Sequence, residues 1–234
     1  MAKTVIFVHG TWGGGWDYKH LAEKLIMRGY DVYRPSLTGL GERRHLSNPS
    51  INLDTHILDI VNLIRSENLS KVILVGHSYG GMVISGVAEV IPEKLSHLLY
   101  MDALLPENGE SMFSLMGEEQ ANYFRDMAKA YEQPWCIPLN WPKWGRDVPH
   151  PIGTYEQAVV INNPAAQIIP ATYVYCTKPL EGKERFKLFA DRAKARGYRY
   201  LELPTEHNMQ RTMPDEYIAI IEEIVATSEL NEEK

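Results

Sequence analysis

Between Lys71 and Val90 the chain has to leave a buried strand and enter a helix within a few residues. Val72-Ile73-Leu74-Val75 is a continuous apolar run, the pattern of a strand covered on both faces. Gly76-His77-Ser78-Tyr79-Gly80 follows at once, and the residues from Gly80 to about Val90 carry a helical pattern. A serine flanked by glycines at such a junction sits on a sharp turn in strained backbone, because a Cβ on either side would not fit. Ser78 is therefore the candidate nucleophile, and strands that feed helices are the expected architecture.

The rest of the chain repeats the alternation. Apolar runs at Val5–Val8, Tyr30–Arg34, Leu98–Met101, Thr172–Tyr175 and Arg199–Leu203 read as further strands. Between them lie a helix from about Asp17 to Met27, a helix with its apolar stripe at Ile57, Ile60, Val61 and Ile64, and a last helix presenting Tyr217, Ile220, Ile221, Ile224 and Val225. The stretch from Leu37 to Ser50 reads as a loop. This predicts an α/β fold with a mostly parallel central sheet of about six strands flanked by helices. The gap from Leu104 to Pro170 is too long for a plain connection and holds Trp135, Trp141 and Trp144. Residues 104–170 are accordingly expected to form a cap, inserted between core segments 1–103 and 171–234.

A serine hydroxyl needs an adjacent base to act near neutral pH. For a turn of this kind the chain order is serine, acid, histidine, which leaves His97, His150 and His207. His97 sits in the region of the fourth strand, and His150 lies in the stiff Val148-Pro149-His150-Pro151 of the cap. His207 follows the sixth strand in Pro204-Thr205-Glu206-His207-Asn208, at the carboxyl end of the sheet where Ser78 also sits. His207 is the expected base.

Three segments now carry a family likeness: Phe7-Val8-His9-Gly10-Thr11-Trp12-Gly13-Gly14-Gly15-Trp16, Gly76-His77-Ser78-Tyr79-Gly80-Gly81 and Tyr100-Met101-Asp102-Ala103-Leu104-Leu105-Pro106. The chain resembles the esterase, plant methylesterase and hydroxynitrile-lyase branch of the α/β-hydrolases. The resemblance covers nearly the whole chain and is weakest in the cap. It implies an oxyanion hole built from the backbone N–H groups of Thr11 and Tyr79, which agrees with the two preorganised donors that a tetrahedral intermediate requires.

The acid is where the chain departs from many relatives. Those carry it just after the strand preceding the last helix–strand pair, yet Val174-Tyr175-Cys176-Thr177-Lys178-Pro179-Leu180-Glu181 contains no aspartate. Asp102 lies instead at the end of the fourth strand, a position used by other α/β-hydrolases, including haloalkane dehalogenases. Asp102 is the preferred acid, with Glu181 as the alternative.

These pieces predict a serine hydrolase that cleaves a small-to-medium carboxylic ester through an acyl-enzyme. Trp12, Trp135, Trp141 and Trp144 are expected to line an apolar substrate pocket. Two other functions compete on the same fold. One is a hydroxynitrile lyase; the resemblance implies that such enzymes replace the His-Gly pair and carry a lysine after the catalytic histidine, whereas His9-Gly10 is intact and Asn208 follows His207. The other is a small-molecule receptor with little turnover. No H-E-x-x-H occurs and the Gly13–Gly15 run lacks the Lys-Ser/Thr of a phosphate loop, so neither a metal nor another cofactor is expected. A net charge of -6 gives no attraction to nucleic acid or an anionic membrane. The two cysteines, without disulfide or metal spacing, and the short N-terminal apolar run suggest a cytoplasmic protein. Oligomeric state leaves no mark in the sequence.

Overall fold

A computed structural model describes residues 3–139, 145–178 and 184–232. Six strands form one sheet: β1 (Lys3–Val8), β2 (Tyr30–Tyr33), β3 (Val72–His77), β4 (Leu95–Met101), β7 (Ala171–Cys176) and β8 (Arg199–Leu203), in the order β2-β1-β3-β4-β7-β8. Every neighbouring pair is parallel. The two-residue strands β5 (Cys136–Ile137) and β6 (His150–Pro151) pair separately and antiparallel.

Alternation along the strands divides the core in two. Ile6, Val8, Leu74, Leu98, Tyr100 and Tyr173 face one side, where they pack with Ile57, Ile60, Val61 and Ile64 of α2 (Leu53–Ser66), with α3 (Gly80–Val90) and with Phe189 of α8 (Glu184–Ala195). Val5, Phe7, Ile73, Val75, Leu99, Met101 and Val174 face the other, against Leu21 and Leu25 of α1 (Lys19–Ile26) and Tyr217, Ile221 and Ile224 of α9 (Pro214–Glu232). The period of two sends successive side chains to opposite faces. Both faces are covered at the centre of the sheet, which is why Val5–Val8, Val72–Val75 and Leu98–Met101 read as unbroken apolar runs. The edge strands β2 and β8 are partly exposed and mix in polar residues.

The sheet reverses direction where the site must form. From β1 the chain crosses through α1 to β2 at one edge, then returns through α2 to β3 on the far side of β1. The loops leaving β1 and β3 therefore diverge to opposite faces and open a crevice at the strands' carboxyl ends. Thr11 follows β1 and Ser78 follows β3.

Residues between β4 and β7 contain α4 (Met112–Met116), α5 (Glu118–Ala130), the β5/β6 pair, α6 (Gly153–Glu156) and α7 (Pro164–Gln167). Leu104, Phe113, Ala121, Ile137, Val148 and Tyr155 of this segment belong to the same apolar cluster as the α2/α3 face of the sheet. The insertion thus shares the core's packing. One difference from expectation lies at 41–46, within the stretch read as loop: Gly41–Leu46 is a 3-10 turn, tied back by Arg43 to Asp59 at 3.1 Å. Its apolar content is too low for a periodic signal.

Candidate active site

The serine turn takes the strained form that its glycines foretell. Ser78 has φ 54°, in the left-handed region, which costs a non-glycine residue roughly 1–2 kcal/mol. Surrounding bonds hold it there: the Ser78 carbonyl accepts the N–H of Gly81 at 3.1 Å and of Leu104 at 2.9 Å. At Gly80, where α3 begins, a Cβ would collide with the Val8 carbonyl oxygen. Only glycine lets β1 and α3 approach so closely at the base of the serine turn.

Asp102 is the second left-handed residue of the site, with φ 44°, one residue past β4. Its N–H donates to the Val174 carbonyl at 2.8 Å, and its carboxylate Oδ1 accepts the Cys176 N–H at 3.0 Å. The other oxygen, Oδ2, lies 2.7 Å from His207 Nδ1. Asp102 is fully buried while 14% of the His207 side chain is exposed. A buried carboxylate accepting from Nδ1 fixes the tautomer and leaves Nε2 to serve the site, the arrangement in which an imidazole takes a hydroxyl proton.

Two further groups, unforeseen from the sequence, hold His207 in place. His77 donates from Nε2 to the His207 carbonyl at 2.9 Å, with ring centroids 4.5 Å apart. Burial, and then the neighbouring His207, push the His77 pKa down to about 3, so His77 is a neutral donor. The Phe186 ring lies 4.6 Å from the imidazole on another side. Because His77 is the residue before Ser78, this bond ties the histidine loop to the serine turn. His77 occupies a variable position of the G-x-S-x-G pattern, so nothing local marks it.

The loop after β1 presses against the same turn. A Cβ on Gly10 would lie 3.0 Å from Ser78 Cβ and 3.2 Å from His77 Nδ1. His9 is buried and neutral: its Nε2 accepts the Leu37 N–H at 3.1 Å, so Nδ1 carries the proton donated to the Gly10 carbonyl at 2.8 Å. Burial lowers its pKa. Among the described residues, no hydrogen bond uses the N–H of Thr11 or Tyr79.

The expected pocket residues separate. The Trp12 indole donates to the Ile137 carbonyl at 3.2 Å and its ring lies 6.3 Å from Phe124, joining the first loop to the inserted segment. Trp135 donates from its indole to Ser47 Oγ at 3.3 Å, a contact that packs the insertion on the 3-10 turn. Trp141, Trp144 and the alternative acid Glu181 lie outside the described residues. His97 is in β4 as expected, bonded to Thr172 Oγ1 at 2.9 Å. His150 is wholly buried and shares an aromatic cluster with His56, Tyr79 and Tyr155.

Known proteins agree with this picture. The profile of the alpha/beta hydrolase family matches residues 5–220. A carbendazim hydrolyzing esterase from a Nocardioides species is 34% identical over 233 residues, spanning 90% of this chain and 95% of the relative. A pyrethroid hydrolase from Sphingobium wenxiniae is 35% identical over 119 residues, 49% of this chain and 41% of that one. Among solved structures, an extracellular α/β-hydrolase from a Paenibacillus species superimposes with a TM-score of 0.79 at 22% identity, covering 97% of this chain and 98% of the other. The Arabidopsis methylesterase MES16 does so with a TM-score of 0.74 at 22% identity, covering 97% and 100%. The strand order, the strained serine turn and the matched sequence lead to one conclusion: the chain belongs to the alpha/beta hydrolase family.

Proposed function

We propose that this protein hydrolyses small-to-medium carboxylic esters through an acyl-enzyme, with Ser78 as nucleophile, His207 as base and Asp102 as the acid that orients it. Ser78 Oγ attacks the ester carbonyl while His207 Nε2 takes its proton. Negative charge on the carbonyl oxygen is received by the N–H groups of Thr11 and Tyr79. His207 then protonates the leaving alcohol, and water, activated by the same imidazole, releases the acid. Segment 104–170 serves as the cap, with Trp12 on its inner border.

The observation that carries this is the 2.7 Å bond from His207 to the fully buried Asp102. It supplies an oriented imidazole whose own loop is bonded to the residue preceding Ser78. The esterase and hydrolase names of the similar proteins support ester cleavage. Replacement of the lysine of cyanohydrin-cleaving relatives by Asn208 weighs against the lyase alternative. We place the protein in the cytoplasm on the support of two buried thiols, Cys136 and Cys176. No helix among the described residues is long and apolar enough to cross a membrane.

The test is a panel of p-nitrophenyl esters differing in acyl size, with fluorophosphonate labelling read by mass spectrometry. The expected result is a burst of nitrophenol and a label on Ser78. A wild type silent across the panel, or a label on another serine, would overturn the assignment and return the receptor alternative.

A further inference from the structure

The loop that carries Thr11 is held from the insertion side. Trp12 has φ 59°, a left-handed conformation that a bulky side chain adopts only when its surroundings impose it. Among the described residues three bonds hold it there, and all three come from the segment between β4 and β7. The Trp12 N–H points to His150 Nδ1 at 3.2 Å, its carbonyl accepts the Val148 N–H at 2.9 Å, and its indole donates to Ile137.

His150 is built to accept. With Nδ1 taking the Trp12 N–H, the ring proton is on Nε2, 2.9 Å from Thr154 Oγ1. Thr154 in turn donates to the Pro151 carbonyl at 2.8 Å. The series of donors ends on that carbonyl with each of its protons assigned, and the imidazole is fully buried. The same ring lies 5.0 Å from that of Tyr79, whose hydroxyl bonds His56 Nδ1 at 2.9 Å. His56 Nε2 donates to the Thr38 carbonyl at 2.9 Å, so its Nδ1 accepts from the phenol. Tyr79 and Trp12, the neighbour of Thr11, are thus anchored in one buried histidine–tyrosine layer.

We propose that His150 is a positioning residue for ester hydrolysis: by accepting the Trp12 N–H it holds the Thr11–Trp12 peptide in place and so positions Thr11, whose own N–H, on the preceding Gly10–Thr11 peptide, faces the developing oxyanion. Loss of the acceptor lets Trp12 relax out of its left-handed conformation, and Thr11, joined to it, shifts away from the position that its N–H must hold. The effect falls on the transition state, where the oxyanion bond strengthens, and little on substrate binding. This inference rests on the ester-hydrolase assignment above.

The test compares His150→Phe, which keeps the ring and removes the acceptor, with His150→Asn, whose amide oxygen can occupy the place of Nδ1. Each is assayed on an aryl ester and on the matching thionoester, whose sulfur is a poorer hydrogen-bond acceptor. His150→Phe is expected to lower kcat on the ester by about 10²-fold with KM little changed, and to lower the thionoester rate far less. His150→Asn is expected to recover most of the ester rate. Equal losses on both substrates, or an unchanged ester rate, overturn the proposal. If the Phe variant does not fold, ¹⁵N NMR of the wild type decides: an unprotonated Nδ1 and protonated Nε2 on His150 at neutral pH are expected, and the opposite tautomer or an imidazolium overturns it. A wild type silent on esters fails the function assignment alone, and the NMR tautomer still tests the bond from Trp12.

Discussion

His207, bonded to the residue before Ser78, and His150, packed 5.0 Å from the ring of the residue after it, illustrate how surroundings divide the labour of one side chain. His207 follows the edge strand β8, keeps part of its ring exposed, and has a buried carboxylate at Nδ1. A negative partner there stabilises the imidazolium that forms when the ring takes a proton. His150, in the insertion, has a backbone N–H on one nitrogen and a threonine hydroxyl on the other. It has no carboxylate partner among its described bonds, and burial with the neighbouring His56 and His9 drives its pKa well below the usual range. Such a ring stays neutral and can only hold geometry. On the proposed assignment, proton transfer falls to the carboxylate-paired, partly exposed histidine and positioning to the buried one.

The sharpest way to break that contrast is to remove the reacting groups. Ser78→Ala and His207→Ala are each expected to lower kcat by about 10⁶-fold, by analogy with serine triads whose members act as a unit. Steady-state assay on the best ester of the panel checks this, and a His207→Ala variant within tenfold of wild type would refute the division. Next in size is Asp102→Asn. Turnover should fall by about 10⁴-fold with the fold intact, because the imidazole loses the partner that sets its tautomer. Circular dichroism beside kinetics separates the two effects. If Glu181→Gln does the damage and Asp102→Asn is nearly silent, the acid has been misplaced.

The neutral histidines sharpen the contrast through pH. Burial lowers the pKa of His77 to about 3 and of His56 and His97 to about 4, from an ordinary 6.5. The unfolded chain therefore binds more protons than the folded one between about pH 4 and 6.5, and folding stability falls as pH drops through that window. At its steepest each ring contributes about 1.4 kcal/mol per pH unit. Urea unfolding at pH 7.5 and pH 5 should show a clear drop in midpoint at the lower pH, with His97→Gln flattening the difference. A midpoint that rises on acidification contradicts neutral burial.

The smallest expected effect lies in the scaffold. Asn52 caps α2 by accepting the Thr55 N–H at 3.1 Å, and Thr55 Oγ1 answers to the Asn52 N–H at 3.3 Å. His56 is one turn into that helix. Asn52→Ala should cost about 1 kcal/mol of stability and leave kcat within twofold, measured by thermal melts and ester assay. A large loss of turnover would mean that the sealed layer responds to fraying at a distance.

Much of this arrangement was written locally. The run Val72–Val75, the glycines around Ser78 and the stripe of α2 each encode a conformation through neighbours within a few residues, and the observed elements follow them. α3 spans Gly80–Val90 as the pattern indicates. The choice between Asp102 and Glu181 could not be settled that way, because it depends on which carboxylate the sheet order carries to His207. His77, Phe186 and His150 carry no local signal at all. Each is an ordinary residue whose role arises only from partners more than a hundred positions away, except Phe186, whose partner His207 is nearer along the chain.

By itself the sequence determined the covered strands, the turn that exposes a serine and the order of candidate groups, since these depend on backbone sterics and on the period of apolar side chains. Tertiary structure alone decided that the carboxylate of Asp102 meets His207, and that the insertion grips Trp12. Those contacts join segments brought side by side by parallel pairing and by the reversal of strand order at β1. Distance in space, which sets every proton's partner, is not a property of any stretch of chain taken alone.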